Sequence, residues 1–221
     1  MISPDNGLWL QCWRDSQTDF HQAAVNPLLS RFWPRLDLAV GSRIFVPLCG
    51  KSLDMLWLVA QGHEVIGVEL SPIAVRAFFH DNQLKPKQTR QGKLTLWRYG
   101  NLSILCGDYF ALRPADLGRI DTVYDRAALT ALPEHIRQAY VTQLRRIVPA
   151  TADVFLLTTE DAGPDETDVQ ALGVSEEIKT LYSQAFHVEL THVESVFEGN
   201  PPALERTEYK VYRLTAKVAY D

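Results

Sequence analysis

The sequence predicts an α/β fold, a doubly wound and mostly parallel sheet that closes with an antiparallel hairpin at one edge. From residue 43 onward, short apolar runs alternate with amphipathic helical stretches, a pattern typical of βαβ units. Only the turn at 198–202 separates the last two extended runs, 187–197 and 206–218. Because no helix carries the chain back between them, these two runs are expected to pair antiparallel.

The individual elements follow from hydrophobic periodicity and from turn residues. Six extended runs precede the final hairpin, and they are residues 43–47, 63–70, 94–97, 102–106, 121–125 and 154–159. The turn at 99–101 makes a second hairpin of the third and fourth runs. Four helices are predicted, at 52–61, from Pro72 behind its cap Ser71, at 134–148 and at 175–185. The first helix is expected to bury one face, which consists of Leu53, Leu56, Val59 and Ala60.

Composition limits the classes of function. The chain has 221 residues and a mass of 25.0 kDa, which suits a single domain over residues 1–221. The net charge is −5 and the basic residues are scattered, so no nucleic-acid partner is expected. The start of the sequence lacks the basic region of a secretory signal, and no run reaches 18 apolar residues, so no membrane partner is expected. Cysteines at 12, 49 and 106 are too few for a disulfide framework or a zinc knuckle, which favours a cytoplasmic protein without a metal.

The stretch I-F-V-P-L-C-G-K-S at 44–52 leads from a strand into a helix and suggests a ligand site. A phosphate-binding loop would need glycine at position 45, where the chain has Phe45. A dinucleotide turn would need three glycines, and only Gly50 is present. The expected ligand is therefore a nucleoside without phosphates. Lys51 is expected to be solvated, and Cys49 to be a small packed side chain rather than a reactive thiol.

Glu69 ends the second strand, 19 residues after Gly50. An acid at this position is suited to accept hydrogen bonds from both ribose hydroxyls of a nucleoside. The alternative is a strand-end carboxylate that is exposed to solvent. S-adenosylmethionine fits the ribose interpretation, because it is an adenosine without phosphate that carries a sulfonium cation.

Two later strand ends offer further candidates. Asp108 follows the strand that ends near residue 106 and is placed to accept from an adenine amino group, with Tyr109 along the ring; the alternative is a helix-capping aspartate. Asp125 and Arg126 lie at the end of the strand 121–125, where an arginine is suited to hold a carboxylate or an anionic substrate. The alternative there is a structural Asp–Arg pair.

Six motifs between residues 9 and 129 carry a resemblance to a known family. They are W-L-Q-C-W at 9–13, D-F-H at 19–21, F-V-P-L-C-G-K-S at 45–52, G-H-E-V-I-G-V-E at 62–69, C-G-D-Y-F at 106–110 and Y-D-R-A-A-L at 124–129. Together they resemble the thiopurine S-methyltransferase family, including the bacterial members that also methylate selenium and tellurium species. The resemblance implies a class I methyltransferase, Rossmann-like fold with a seven-stranded sheet. It also implies that residues 1–40 form a helical cap over the cofactor.

The resemblance also implies roles for individual residues. Contacts with S-adenosylmethionine are implied for Trp9, Trp13, Leu48, Gly50, Glu69, Asp108, Tyr109 and Arg126. Phe20 and Arg126 would face the substrate. Arg206 lies in the segment 196–209, which is less similar to the family, and it either lines the substrate entrance or is an ordinary surface charge. Trp9 and Trp13 are four residues apart and so share one helical face. Tryptophans in this arrangement are more often packed in a core, which is the alternative, but an aromatic cover suits a sulfonium cation.

The expected activity is S-adenosylmethionine-dependent S-methylation of small aromatic or heterocyclic thiols, and of selenium or tellurium species, by a monomer. A thiolate is already a good nucleophile, so catalysis is expected to come mostly from proximity and alignment, without an assigned catalytic base. Arg126 would favour the anionic nucleophile. The alternative function is a nucleoside-cofactor-binding protein of the same fold without thiol methylation activity. A Rossmann dehydrogenase is disfavoured by the missing glycines.

Overall fold

The computed structural model describes residues 4–18, 21–162, 169–198 and 205–217. Within these ranges the chain forms eight α-helices and nine strands, distributed over two compact units, Met1–Asp121 and Thr122–Asp221. The helices are α1 (Pro4–Arg14), α2 (Pro27–Phe32), α3 (Asp54–Ala60), α4 (Pro72–Asp81), α5 (Pro114–Leu117), α6 (Ala128–Ala131), α7 (Glu134–Ile147) and α8 (Val169–Tyr182). The strands are β1 (Arg43–Val46), β2 (Glu64–Glu69), β3 (Lys87–Gln91), β4 (Leu94–Tyr99), β5 (Leu102–Cys106), β6 (Thr122–Arg126), β7 (Asp153–Ala162), β8 (Phe186–Glu198) and β9 (Glu205–Ala216).

In the first unit the strands lie in the order β3-β4-β5-β2-β1. β2 pairs in parallel with both β1 and β5, and its residues from Val65 to Glu69 are all buried, as expected for a strand covered on both faces. β4 pairs antiparallel with β5, which confirms the hairpin predicted around the turn at 99–101. These parallel strands bring the ends of β1, β2 and β5 to the same edge, where the candidate residues of this unit lie.

In the second unit the strands lie in the order β6-β7-β9-β8. β6 and β7 are parallel, β9 runs antiparallel to β7, and β8 pairs antiparallel with β9. The antiparallel hairpin predicted from the last two extended runs is therefore confirmed, and so is the α/β class with parallel central strands. A register shift between Leu190 and His192 interrupts the pairing of β8 with β9.

The two units together contain nine strands instead of the seven that the resemblance implies, and the hairpin of β3 and β4, which is added to β5, accounts for the difference. The prediction included the run at 94–97 but left residues 87–91 without a strand. That segment, K-Q-T-R-Q, is polar at every position, and four of its five residues are exposed. Since neither face of β3 is apolar, the alternation that identifies a half-buried strand is missing.

Two helices show where periodicity succeeds and where it fails. Ser71 caps α4 as predicted, since its hydroxyl accepts a hydrogen bond from the Ala74 N–H at 3.4 Å, with Pro72 at the first helical position. The face predicted for α3 is wrong, because the buried residues of this helix are Asp54, Met55 and Leu58. Apolar residues lie on every side of this short helix, so their spacing along the sequence does not indicate which side is buried. The burial of Asp54 follows from a distant contact, as its carboxylate accepts from the Asn26 N–H at 2.8 Å.

Candidate functional site

The turn that follows β1, residues 47–50, has an unusual backbone. Leu48 has φ 46° and Gly50 has φ 52°, so both lie in the left-handed region. Glycine adopts this conformation readily, whereas for a residue with a Cβ it costs about 1–2 kcal/mol of conformational free energy. The Cys49 N–H donates to the Val68 carbonyl at 2.9 Å, which fixes the turn against β2. Strained turns of this kind persist where surrounding bonds hold them, and they concentrate at functional sites.

Glu69 closes this turn from the end of β2. Its Oε2 accepts from the Gly50 N–H at 2.9 Å, and its Oε1 accepts from the Ser71 N–H at 2.6 Å. The residue is only 7% exposed, so the solvent-exposed carboxylate considered as an alternative is wrong. Burial raises the pKa of Glu69 to about 7, against the opposing effect of the backbone hydrogen bonds. The carboxylate has room for about four hydrogen bonds and uses two with these backbone groups.

An indole ring lies against the other side of the turn. A Cβ placed on Gly50 would lie 3.4 Å from Cζ2 of Trp13, so the backbone of Gly50 and the indole are in close contact. Trp13 is buried and Trp9, one turn earlier on α1, is half-buried. α1 also packs against α4, whose first turn follows Glu69 and Ser71. The predicted N-terminal helix is therefore present, and it brings Trp13 next to the turn after β1.

Cys49 is a packed side chain in this turn, in agreement with the interpretation of its sequence context. It is 6% exposed, and burial together with the nearby Glu69 charge raises the pKa of its thiol well above the ordinary value. A Cβ on Gly67 would lie 2.7 Å from the Cys49 Sγ, so the absence of a side chain at 67 makes room for the sulfur. Burial also raises the pKa of Cys106 to about 11. Neither thiol is activated, because the thiolate is the reactive form.

Lys51 differs from its expected solvation. Its Nζ lies 3.2 Å from an Asp81 carboxylate oxygen at the end of α4, and its side chain is 23% exposed. His80 and Lys51 both hydrogen-bond the carboxyl of Asp81 and lower its pKa. The lysine therefore links the segment before α3 to α4 and points to no phosphate chemistry.

The segment after β5 shows the capping interaction that the sequence left open. Asp108 Oδ1 accepts from the Phe110 N–H at 2.9 Å and caps a short 3₁₀ turn over Tyr109–Ala111. Tyr109 is 2% exposed, and its ring meets Phe110 edge to face at 5.3 Å. Asp108 itself is half-buried, and accepting one backbone hydrogen bond leaves further acceptor capacity on its carboxylate. Capping and adenine recognition are therefore compatible at this residue.

In the second unit, β6 ends in a turn at residues 125–128 that we call the arginine turn. Asp125 is fully buried and accepts three hydrogen bonds, from the Tyr140 hydroxyl at 2.7 Å and from the N–H groups of Ala128 at 3.0 Å and Leu129 at 3.4 Å. Burial raises the pKa of Asp125 to about 6. Arg126, half-buried, ends the strand, and Ala127 follows with φ 57°. The role of Tyr140 was missed, because the residue belongs to the apolar stripe of α7 and lies 15 residues from its partner.

Two candidate residues lie wholly or partly outside the described part of the chain. Phe20 lies outside the described residues. Arg206 lies in β9, where its backbone is opposite Ala162 and Phe197, and its side chain is outside the described part. The two interpretations of Arg206 from the sequence therefore both stand.

The fold and the strand-end acid define a class of protein. The structure of Burkholderia thailandensis 1,6-didemethyltoxoflavin-N1-methyltransferase with bound 1,6-didemethyltoxoflavin and S-adenosylhomocysteine superposes with a TM-score of 0.61. The match covers 95% of this chain and 87% of that chain at 14% identity, so it concerns the fold alone. The fold is thus that of the S-adenosylmethionine-dependent methyltransferases.

The family follows from sequence similarity, and the chain belongs to the thiopurine S-methyltransferase family, which residues 4–217 match. A protein of Stutzerimonas stutzeri named thiopurine S-methyltransferase is 64% identical over 219 residues, which are 98% of this chain and 93% of that protein. A protein of Methylococcus capsulatus with the same name is 43% identical over 222 residues, 97% and 99% of the two chains. The resemblance inferred from the six motifs is confirmed.

S-adenosylmethionine is the cofactor that this family and fold indicate, and the described residues fit it. A vicinal diol donates two hydrogen bonds, and the Glu69 carboxylate has two acceptor positions beyond those that Gly50 and Ser71 use. No run of backbone N–H groups around several glycines, which a pyrophosphate would need, is found in the turn at 47–50. Among the described residues, no helix combines the length and apolar character that a membrane span requires.

Proposed function

We propose that this chain is an S-adenosylmethionine-dependent S-methyltransferase of small aromatic or heterocyclic thiols. The observation that carries the proposal is the buried Glu69 carboxylate, which Gly50 and Ser71 hold in place while acceptor positions remain for a ribose. Membership of the family and the name of the two relatives support the choice of sulfur as the acceptor atom. No feature of the described residues favours the alternative of a binding protein without activity.

The proposed cofactor contacts are distributed around the turn after β1. Glu69 accepts from the ribose hydroxyls, and Leu48 forms an apolar wall beside the nucleoside. Asp108 and Tyr109 recognise the adenine. Trp13, and Trp9 beside it on α1, exclude water from the sulfonium, for which cation–π attraction contributes about 0.5–2 kcal/mol. On this proposal residues 1–40 act as a cap, and the two units act together as one methyltransferase domain.

The proposed methyl transfer requires the protein mainly to position the two reactants. When bound, S-adenosylmethionine supplies a methyl group from a positively charged sulfur to the substrate sulfur. Arg126 stabilises the thiolate form of the substrate, which then needs no base at the moment of transfer. Phe20 and Arg206 are assigned to the substrate side. Most of the rate enhancement is assigned to holding the reacting atoms close together and in line, since well-oriented reactions reach effective molarities of about 10⁵–10⁸ M.

The proposed function also covers further methyl acceptors, the cellular location and the oligomeric state. Selenolates and related selenium or tellurium anions are included as acceptors, because they are nucleophiles that Arg126 would favour in the same way. A cytoplasmic location is proposed, since Cys12, Cys49 and Cys106 are free thiols, as expected in a reducing compartment. The proposed oligomeric state is a monomer.

Two measurements test the proposed function. Calorimetric titration with S-adenosylhomocysteine measures cofactor binding, and labelled-methyl transfer to a panel of aromatic thiols, selenite and tellurite measures activity. We expect binding in the micromolar range and transfer to at least one thiol. Binding without transfer to any member of the panel would favour the inactive binding protein, and no binding at millimolar ligand would reject both.

A further inference from the structure

The buried carboxylate of Asp125 lies one residue before Arg126 and is engaged on both oxygens. Oδ1 accepts from the N–H groups of Ala128 and Leu129, and Oδ2 accepts from the Tyr140 hydroxyl at 2.7 Å. Asp125 and Tyr140 are each 0% exposed. A general base must reach the proton that it abstracts directly or through one water. A carboxylate that is sealed in this way is unsuited to that role.

The hydrogen bonds of Asp125 close the arginine turn. Oδ1 accepts from the first two N–H groups of α6, those of Ala128 and Leu129. Only Arg126 and Ala127 lie between Asp125 and this helix, so the hydrogen bonds span these two residues. Ala127 lies in the left-handed region with φ 57°, and its N–H donates to the Leu157 carbonyl at 2.9 Å. A left-handed residue with a side chain persists only where its surroundings hold it. Asp125 is therefore part of what sets the direction in which Arg126 leaves the strand.

Tyr140 connects this turn to a fixed helix. It lies in α7, where Arg137 donates from Nε to the Leu132 carbonyl at 2.9 Å and from Nη1 to a Glu177 carboxylate oxygen at 2.6 Å. These contacts hold α7 to the segment after α6 and to α8. The phenol thus ties Asp125 to a helix that is also held, through Arg137 and Glu177, to α8.

We propose that Asp125 and Tyr140 are positioning residues that hold Arg126 in the orientation needed for an ionised substrate. The inference rests on the proposed function, in which Arg126 favours the thiolate. It assigns to Asp125 a role other than proton transfer. It also gives Tyr140, which does not touch substrate, a measurable effect on methyl transfer.

Substitutions at Asp125 separate positioning from base catalysis. In Asp125→Asn, the side-chain oxygen still accepts from Ala128 and Leu129, and the Tyr140 hydroxyl rotates to accept from the amide, since a phenol both donates and accepts. We expect kcat/KM to fall by about threefold or less, with the acidic limb of the pH profile at its wild-type position. Asp125→Ala removes all three acceptor bonds, and a larger loss is expected.

Tyr140→Phe tests whether the effect passes through Arg126. In the wild-type background we expect kcat/KM for an aromatic thiol to fall about 3–30-fold. In an Arg126→Lys background, Tyr140→Phe should change kcat/KM by about twofold or less, because a flexible ammonium needs no defined plane. Tyr182→Phe is the matched control, since Tyr182 is equally buried in the same unit but packs against Phe186. Thermal melts of each variant report any loss of fold at the assay temperature.

The outcomes separate this inference from the proposed function. Failure of the wild-type enzyme to methylate any thiol rejects the function itself. With an active wild type, the inference is overturned by equal effects of Tyr140→Phe in the Arg126 and Lys backgrounds. It is also overturned if folded Asp125→Asn is as inactive as Asp125→Ala and loses its acidic limb, which would assign a base. If Asp125→Ala does not fold, the Tyr140→Phe cycle decides alone.

Discussion

The protonation state of Glu69 should control cofactor affinity near neutral pH. Burial gives this carboxylate a pKa of about 7 in the free protein, and the ribose hydroxyls must donate to its ionised form. Protonation replaces an acceptor by a donor, so the protonated protein binds weakly. Affinity for S-adenosylhomocysteine should therefore rise with pH through about 7 and level off above it, and binding should release protons.

The expected size follows from the pKa alone. If only the ionised form binds, the apparent Kd exceeds its limiting value by a factor of about 11 at pH 6 and about 1.1 at pH 8, for a pKa of about 7. Lowering the pH from 8 to 6 should thus weaken binding about tenfold, which equals about 1.4 kcal/mol. At pH 7 about half a proton should be released for each ligand bound.

Isothermal titration calorimetry at pH 6, 7 and 8, in two buffers with different ionisation enthalpies, measures both the affinity and the protons released. Glu69→Gln should bind more weakly by about 1–3 kcal/mol and lose the pH dependence, because the amide does not titrate and its NH2 meets a backbone donor. Glu64→Gln, on the exposed start of the same strand, should keep the wild-type slope. A tenfold pH dependence that persists in Glu69→Gln would refute the assignment, as would a flat profile in the wild-type protein.

Three further outcomes follow from the same structure. Glu69 and Asp125 have folded-state pKa values raised to about 7 and about 6, so the folded protein holds these two protons more tightly than the unfolded chain does. The free energy of unfolding without ligand should therefore fall by about 2–4 kcal/mol as the pH rises from 5 to 7.5. Urea denaturation that shows no decrease over this range would contradict the expectation. Gly67→Ala should destabilise the protein by about 1–3 kcal/mol, since the new Cβ would meet the Cys49 Sγ at 2.7 Å, and pairing it with Cys49→Ala should recover part of the loss in the same assay. Trp13→Ala should weaken S-adenosylhomocysteine binding about 3–30-fold by uncovering the turn after β1, and calorimetry giving the wild-type Kd would exclude a covering role.

The sequence predicted those features that depend on local patterns. β2 is a continuous apolar run that ends in an acid, and Ser71-Pro72 begins the next helix, so the residue pattern by itself places Glu69 at a strand end. The hairpin of β4 and β5 follows from two extended runs joined by a glycine turn at 99–101. These signals suffice to predict that the central strands are parallel, because a helix between two strands of one sheet returns the chain to the same end of the sheet.

Features that depend on distant partners could not be predicted in this way. Asp54 is buried because Asn26, 28 residues earlier, donates to it, and no local pattern contains that bond. The link between Asp125 and Tyr140 likewise joins a strand end to a helix stripe that looks purely apolar. β3 was not predicted for a different reason. An exposed edge strand needs no apolar face, and its backbone is held in place by pairing with β4 instead.

Glu69 and Asp125 show how two carboxylates with similar surroundings take different roles. Each lies at the end of a parallel strand, accepts hydrogen bonds from backbone N–H groups of residues that follow, and has a pKa raised by burial. The difference lies in the acceptor positions that remain. Asp125 accepts three hydrogen bonds, including that of a phenol, and is 0% exposed, so its contribution is the shape of the turn. Glu69 accepts two and is 7% exposed, so the desolvation that raises its pKa is offset when a ligand with paired hydroxyls donates to it.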